Sequence, residues 1–336
     1  MKSYNLAIVG ASGAVGHEFL KVLAERDFPI AELRLLATER SAGKRIDFKG
    51  RTYTVEKTTA ESFRGMDIAL FAGGAASLEF GPAAVAAGAV VIDNSSNYRY
   101  RDDVPLVVPE VNPEDVRWHQ GIIANPNCST IQLVVALKPL HDAARIKRII
   151  CSTYQAVSGA GLPGLTELTE QTGRILRDEP IQPEAFKYQI AFNVIPQIDV
   201  LSEDGYYKEE MKMLWETRKM FHDPEIRVAC TCVRVPVLRS HSESVTIETE
   251  KPLSPEEARA LLAKAPGVVV VDDPAQFQFP MPIMASDTAL VYVGRIRKDL
   301  SADNGLALWV VADQIRKGAA TNAVQIAELL VREGLV

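Results

Sequence analysis

Apolar positions follow two different grammars along the chain. Through about residue 125, short runs of branched apolar residues alternate with small-residue turns and segments of helical spacing. Residues 6–9 lead into Gly10, and residues 15–26 follow with Val15, Phe19, Val22 and Leu23 on one helical face. Further strands are expected at residues 33–36, 52–55, 67–71, 90–93, 106–108 and 122–124. Strands alternating with helices predict an α/β domain, a doubly wound and mostly parallel sheet with helices on both faces.

After the helical pattern at residues 131–140, β-rich segments come in succession, at 148–155, 226–237, 245–249, 268–271, 289–297 and 306–312. Strands in series predict a largely antiparallel sheet, hence a second domain of α+β type. Helical spacing recurs at 163–176 and 208–221. It closes the chain at 321–332, where Ala323, Ile326, Ala327, Leu330 and Val331 form a stripe. The expected division is residues 1–127 with 314–336 as one domain and 128–313 as the other. A chain of 336 residues is long enough for two cores.

Composition narrows the function. Hydrophobic residues make up 47% of the chain, and 37 basic against 43 acidic side chains leave a net charge of −6. That balance argues against a nucleic-acid or anionic-membrane partner, which needs a basic stripe. No apolar stretch approaches the roughly 18 residues of a membrane span, and the run at 6–9 is too short for a signal segment. A cytoplasmic protein is expected. The four cysteines form no Cys-x-x-Cys pair, so no structural metal is expected.

Three motifs carry chemistry. Gly10-Ala11-Ser12-Gly13-Ala14-Val15-Gly16 stands between a strand and a helix, where glycines admit a pyrophosphate to the open amides of the helix start. A plain tight turn is the alternative reading. After the second strand, Thr38, Arg40 and Ser41 offer donors for a ribose 2′-phosphate and favour NADP(H), while Glu39 would favour NAD(H) if it pointed inward. Cys128, in Asn125-Pro126-Asn127-Cys128-Ser129-Thr130, sits at the expected start of a helix, whose dipoles stabilise a thiolate nucleophile. Burial as a packing residue is its alternative, and the expected fate of Cys151, Cys230 and Cys232. Of the five histidines, His17, His119, His141 and His222 read as surface or packing residues. His241, in Arg239-Ser240-His241-Ser242-Glu243 at the turn into a strand, is the candidate acid/base partner, with packing equally open.

Taken together, these blocks resemble the bacterial-type aspartate-semialdehyde dehydrogenases from end to end. The resemblance adds Asn97-Tyr98-Arg99, Tyr154-Gln155-Ala156-Val157-Ser158-Gly159-Ala160-Gly161, Phe192-Asn193-Val194-Ile195-Pro196-Gln197, Glu209-Glu210-Met211-Lys212, Arg234-Val235-Pro236-Val237 and Lys317-Gly318-Ala319-Ala320-Thr321-Asn322. It implies NADPH-dependent reductive dephosphorylation of L-aspartyl 4-phosphate to the 4-semialdehyde, on the path to lysine, threonine and methionine. Cys128 matches the nucleophile, His241 the acid/base residue and Gln155 the residue that positions the acyl group. Arg99 and Lys212 match the phosphate binders, Arg234 the carboxylate binder and Glu209 the acid near the substrate amino group. Ser12, Gly13, Ala14, Val15, Arg40, Ser41, Ser158, Gly159 and Gln314 fall on cofactor positions. The resemblance also implies a homodimer or dimer of dimers, joined through the β-rich domain.

The chain departs from the family's usual pattern at two positions. Ser240 stands in place of a glycine and Gln314 in place of an asparagine. Two other readings compete: an N-acetyl-glutamyl-phosphate reductase-like enzyme, set aside because Glu209 and Lys212 sit in the aspartate-type block, and a non-catalytic nucleotide-binding paralogue.

Overall fold

The computed structural model describes residues 2–336. The chain forms two compact units, residues up to Asn127 with Ala319–Val336, and Cys128–Gly318. Among the described residues no helix is long and apolar enough to cross a membrane.

The first unit is built on β1 (Tyr4–Val9), α1 (Ala14–Glu25), β2 (Ile30–Ala37), a hairpin of β3 (Arg45–Phe48) and β4 (Arg51–Thr54), β5 (Glu56–Lys57), β6 (Ile68–Phe71), α2 (Ala76–Ala86), β7 (Val90–Asp93) and β8 (Ile122–Ala124). Its six-stranded sheet runs β5-β2-β1-β6-β7-β8, parallel throughout. Buried on both faces, β6 reads as an unbroken apolar run and β7 as one up to its last residue, Asp93, rather than as alternating strands. On one face α1 and the closing helix Thr321–Glu333 pack over Leu6, Ile8 and Leu70, with Phe19 and Leu23 fully buried. Each such side chain contributes roughly 1.5–3 kcal/mol by leaving water. The opposite face, beneath α2, buries Phe63 against Phe71.

Residues 106–108 do not form the expected strand. Leu106 makes only an isolated bridge to Ala124, because Pro105 and Pro109 flank the segment and lack the N–H groups that a ladder needs.

The second unit begins with α3 (Cys128–Ala144) and β9 (Ile146–Gln155). It continues through α4 (Leu162–Ile175), α5 (Lys208–Phe221), β10 (Arg227–Arg234), β11 (His241–Thr249), α6 (Pro255–Leu262), β12 (Val268–Val270), α7 (Pro282–Ala285), β13 (Val291–Lys298) and β14 (Gly305–Ala312). The sheet order is β10-β9-β11-β14-β13-β12. Its four inner strands are antiparallel to one another, as expected, but each edge pair, β10 with β9 and β12 with β13, is parallel. The chain between β9 and β10 contains α4 and α5, long enough for the crossover that a parallel pair requires.

Alternation on β9 and β10 puts Cys151, Thr153, Gln155, Cys230, Cys232 and Arg234 on one buried face. The chain re-enters the first unit at Ala319 rather than at the expected Gln314. Residues 313–316 stay with the second unit because the Asp313 carboxylate accepts from Arg239 Nε and from the amides of Ile315 and Arg316.

Candidate active site

Cys128 is the first residue of α3, so its sulfur sits at the positive end of the helix dipole. Its Sγ lies 3.5 Å from His241 Nε2. His241 opens β11 and is fully buried, and its Nδ1 accepts the Ala156 backbone N–H at 3.0 Å. A backbone amide can only donate, so the ring carries its single proton on Nε2, facing the sulfur. Burial, reinforced by the Arg234 guanidinium, lowers the His241 pKa to about 3. The ring is therefore neutral near pH 7.

Gln155 ends β9 in the same row as His241, with its Nε2 3.4 Å from the His241 Nε2. Thr153 Oγ1 donates to its Oε1 at 3.0 Å, and its Nε2 donates to Glu209 Oε1 at 3.1 Å. Glu209 in turn accepts from Lys212 Nζ at 2.9 Å, one turn along α5, and Lys212 also meets Asp199 at 2.7 Å. Burial opposes the Lys212 ammonium, but these two carboxylates outweigh it and hold its pKa above the ordinary lysine value. Arg234 is buried beside Gln155 in the parallel register, with Nη1 on the Ala156 carbonyl at 2.6 Å and its guanidinium over the Phe186 ring. Cys128, Gln155, Glu209, Lys212, Arg234 and His241 thus belong to one connected site.

The glycines of the site are fixed by space. A Cβ on Gly159 would come within 2.8 Å of Arg234 Nη1 and 3.3 Å of the His241 ring, and one on Gly318 within 3.0 Å of Cys128 Cβ. Beside them, Ser240 adopts φ +73°, the left-handed conformation that favours glycine. Its N–H donates to Gln314 Oε1 at 2.8 Å and its Oγ lies 2.8 Å from Ser286 Oγ. Gln314 Nε2 donates to Ser158 Oγ. The two departures from the family pattern therefore meet in one network, in which the Gln314 amide holds the turn leading into His241.

The remaining cysteines are placed differently. Cys151 is buried with Cys230 opposite it in register. Contact with Cys230, together with burial, pushes the Cys151 thiol well above its ordinary range, and burial does the same to Cys232. His17 is exposed on α1, His119 accepts from Gly121 N, His141 packs at a tilt against Phe221, and His222 caps α5. Sequence reading passed over Thr153, Gln132 and Glu243, although strand and helix periodicity places all three one step behind the reactive row.

In the first unit, Gly10 adopts φ +84° and a Cβ on Gly16 would come within 2.3 Å of Gly10 O, so α1 starts tight against the turn. No side chain caps α1, whose N-cap is Gly13, and Gly13 and Ala14 are exposed, leaving its first amides open to an anion. Thr38 and Arg40 are exposed after β2, while Ser41 is buried. Glu39 is engaged by Lys57 in a surface ion pair. The Arg99 guanidinium is buried, with Nε on the Asn125 carbonyl at 2.9 Å and Nη2 on the Asn94 carbonyl at 2.8 Å, past the carboxyl ends of β8 and β7.

An open helix start thus follows the first strand of the parallel sheet in one unit, and a thiol–imidazole pair stands in the other. A family model described as "Semialdehyde dehydrogenase, NAD binding domain" matches residues 5–119, and one described as "Semialdehyde dehydrogenase, dimerisation domain" matches residues 137–317. Aspartate-semialdehyde dehydrogenases of Aquifex aeolicus and Bacillus subtilis are 60% and 52% identical to the chain, each alignment covering at least 99% of both partners. The crystal structure of aspartate semialdehyde dehydrogenase II from Vibrio cholerae, complexed with ASA, superposes with a TM-score of 0.96 at 52% identity over 99% of each chain. A Candida albicans aspartate semialdehyde dehydrogenase with NADP gives 0.75 at 25% identity over the full length of both. The chain belongs to the aspartate-semialdehyde dehydrogenase family.

Proposed function

We propose that the chain reduces L-aspartyl 4-phosphate to L-aspartate 4-semialdehyde with NADPH, releasing phosphate, through an acyl thioester on Cys128. The observation that carries this reading is the 3.5 Å approach of Cys128 Sγ, at the start of α3, to the Nε2–H of a buried neutral imidazole. The helix start and the Arg234 guanidinium bring positive potential to the sulfur. The thiolate attacks the acyl carbon, the carbon–oxygen bond to phosphate breaks, and phosphate leaves. When bound, the dinucleotide supplies a hydride to the acyl carbon of the Cys128 thioester. The oxyanion then formed collapses to the aldehyde and regenerates the thiolate, so the cycle needs no net proton at the sulfur. His241 acts through Nε2–H, as donor first to the thiolate and then to the oxyanion.

Arg234 is assigned to the substrate α-carboxylate, for which a planar fork is suited. Glu209 is assigned to the α-ammonium, a role that favours a free amino acid over an N-acylated one. Lys212 and Arg99 are assigned to phosphate. The open start of α1, with Ser12, Gly13, Ala14 and Val15, suits a pyrophosphate. Thr38, Arg40 and Ser41 suit a 2′-phosphate, the more so with Glu39 engaged by Lys57. Ser158, Gly159 and Gln314, beside His241, are assigned to the nicotinamide end.

The product serves lysine, threonine and methionine synthesis. A cytoplasmic location suits four cysteines in the thiol form. A homodimer, alone or paired again, is assigned to the open face of the second sheet, where Ile150 and Tyr154 are exposed and Tyr154 packs on Trp309. The test is reduction of NADP+ by aspartate semialdehyde. Turnover that requires phosphate supports the reading, and turnover indifferent to phosphate removes it.

A further inference from the structure

One group beneath the site has no part in that chemistry. Glu243 follows His241 by two residues on β11, so both side chains face α3. In register it stands opposite Thr153, in the row directly behind Gln155 and Arg234. Its carboxyl is fully buried, and neither oxygen meets a donor at hydrogen-bond geometry. The Cys230 thiol beside it disfavours its charge, a weaker contact from the Gln132 amide favours it, and the carboxylate in turn raises the Cys151 thiol.

Gln132 lies one turn after Cys128 on α3, so the two project from neighbouring positions on one face of the helix. Its Nε2 donates to the His241 carbonyl at 3.4 Å, while its Oε1 is buried without a donor. The acceptor oxygens of Glu243 and Gln132, left without donors in a dry interior, are in conflict at a cost. One proton on the carboxyl converts that conflict into a bond, since an acid O–H can donate where a carboxylate cannot. Burial, which pushes the Glu243 carboxyl well above the usual carboxylate range, acts in the same direction.

We propose that Glu243 is a positioning residue: as a carboxylic acid it donates to Gln132 Oε1, and the pair fixes the first turn of α3, and with it Cys128, against the strand that carries His241. The clamp touches neither substrate nor cofactor. It acts by keeping sulfur and imidazole at their working separation, where a displacement near 1 Å can cost about a hundredfold in rate. The proposal rests on Cys128 and His241 being the reacting pair.

The test combines two readouts on purified full-length variants. One is steady-state NADP+ reduction with aspartate semialdehyde and phosphate. The other is the pH profile of Cys128 alkylation by iodoacetamide, followed by peptide mass spectrometry, to which the buried Cys151, Cys230 and Cys232 do not contribute. Glu243→Leu is expected to lower kcat about tenfold or more with KM for the semialdehyde little changed, and to displace the alkylation profile. Glu243→Gln, which supplies an amide donor without a charge, is expected to restore both. Gln132→Leu should match Glu243→Leu, and the double variant should lose no more than either single one.

The clamp is overturned if Glu243→Leu keeps wild-type kcat and profile, if Glu243→Gln is as impaired as Glu243→Leu, or if the double variant's losses multiply. Should Glu243→Leu fail to fold, Gln132→Leu carries the same test against Glu243→Gln. Wild-type turnover and its loss in Cys128→Ala decide the reacting pair separately, so a failed clamp leaves that reading standing.

Discussion

The two units present their functional groups in opposite ways. In Cys128–Gly318 the reactive side chains, buried apart from the half-buried Cys128 and Lys212, are bonded to one another: Thr153 holds Gln155, Gln155 holds Glu209, Glu209 holds Lys212, and Ala156 fixes both Arg234 and His241. In the first unit the dinucleotide side offers an uncapped helix start and exposed Thr38 and Arg40 around a few fixed glycines. Chemistry that depends on a sulfur and an imidazole a few tenths of an ångström from contact needs a site whose every member is positioned by another. Binding a long polyanion needs open amides and a cation that can follow it. Substitutions in the bonded network around Cys128 and His241 should therefore change turnover, and those at the open helix start or at Thr38 and Arg40 should change cofactor affinity.

The largest effect is expected at the sulfur. Cys128→Ala should lower kcat by roughly 10^4-fold or more while NADPH binding, measured by fluorescence titration, stays within about twofold. Comparable weakening of NADPH binding would erase the contrast between the units. Next comes Arg234→Lys, which keeps the charge but loses the fork. Truncating a desolvated charged contact costs about 2–5 kcal/mol, read in kcat/KM for the semialdehyde. Full activity, or a lowered Tm without a kinetic defect, would make Arg234 a structural residue held on Ala156.

Arg40→Ala sharpens the other side of the contrast. It should weaken NADPH by about 1.5–3 kcal/mol relative to NADH, with kcat at saturating cofactor little changed. Equal use of both cofactors by the unaltered protein would remove the 2′-phosphate role. A smaller effect is expected at Ser240. Ser240→Gly relieves the left-handed strain but loses the contact to Ser286, so Tm should move by no more than the equivalent of about 1 kcal/mol. Ser240→Ala, which keeps the strain and loses the contact, should be the less stable of the two.

A separate effect is expected on pH-dependent stability. The unfolded chain protonates His241 near its ordinary value of 6.5, and the folded chain only near 3. The folded state therefore binds fewer protons in that window, and stability falls as pH drops from about 6.5 toward 3. Chemical denaturation of His241→Asn across that range should show a shallower decline, and an unchanged slope would mean that the imidazole is charged in the fold.

Much of this was legible in the sequence because periodicity reports burial. The parallel core strands stand out as apolar runs at residues 68–71 and 90–92, and α5 at residues 208–221 by its helical spacing. Cys128 was legible as a helix start. Residues 106–108 misled because apolar content was read without weighing the prolines on either side. Two parallel edge pairs were missed because local pattern carries no information about crossovers. Helix α2 contains Gly81 and Pro82 and lacks an apolar face, so composition hid it. The support behind the site was missed for a related reason. Thr153, Gln132 and Glu243 are ordinary polar residues until the register of three strands and a helix brings them together. The pairing of Ser240 with Gln314 likewise joins positions far apart in sequence and on different strand ends.

The most direct test of the account is to incubate the enzyme with aspartate semialdehyde and NADP+ in the absence of phosphate, then measure the reduced cofactor formed in the first turnover and map the modified peptide by mass spectrometry. The account predicts a burst of about one NADPH per subunit with the acyl group on Cys128, discharged when phosphate is added. An acyl group on Cys151 or Cys230, or steady phosphate-dependent turnover with no acyl group on any thiol, would contradict it.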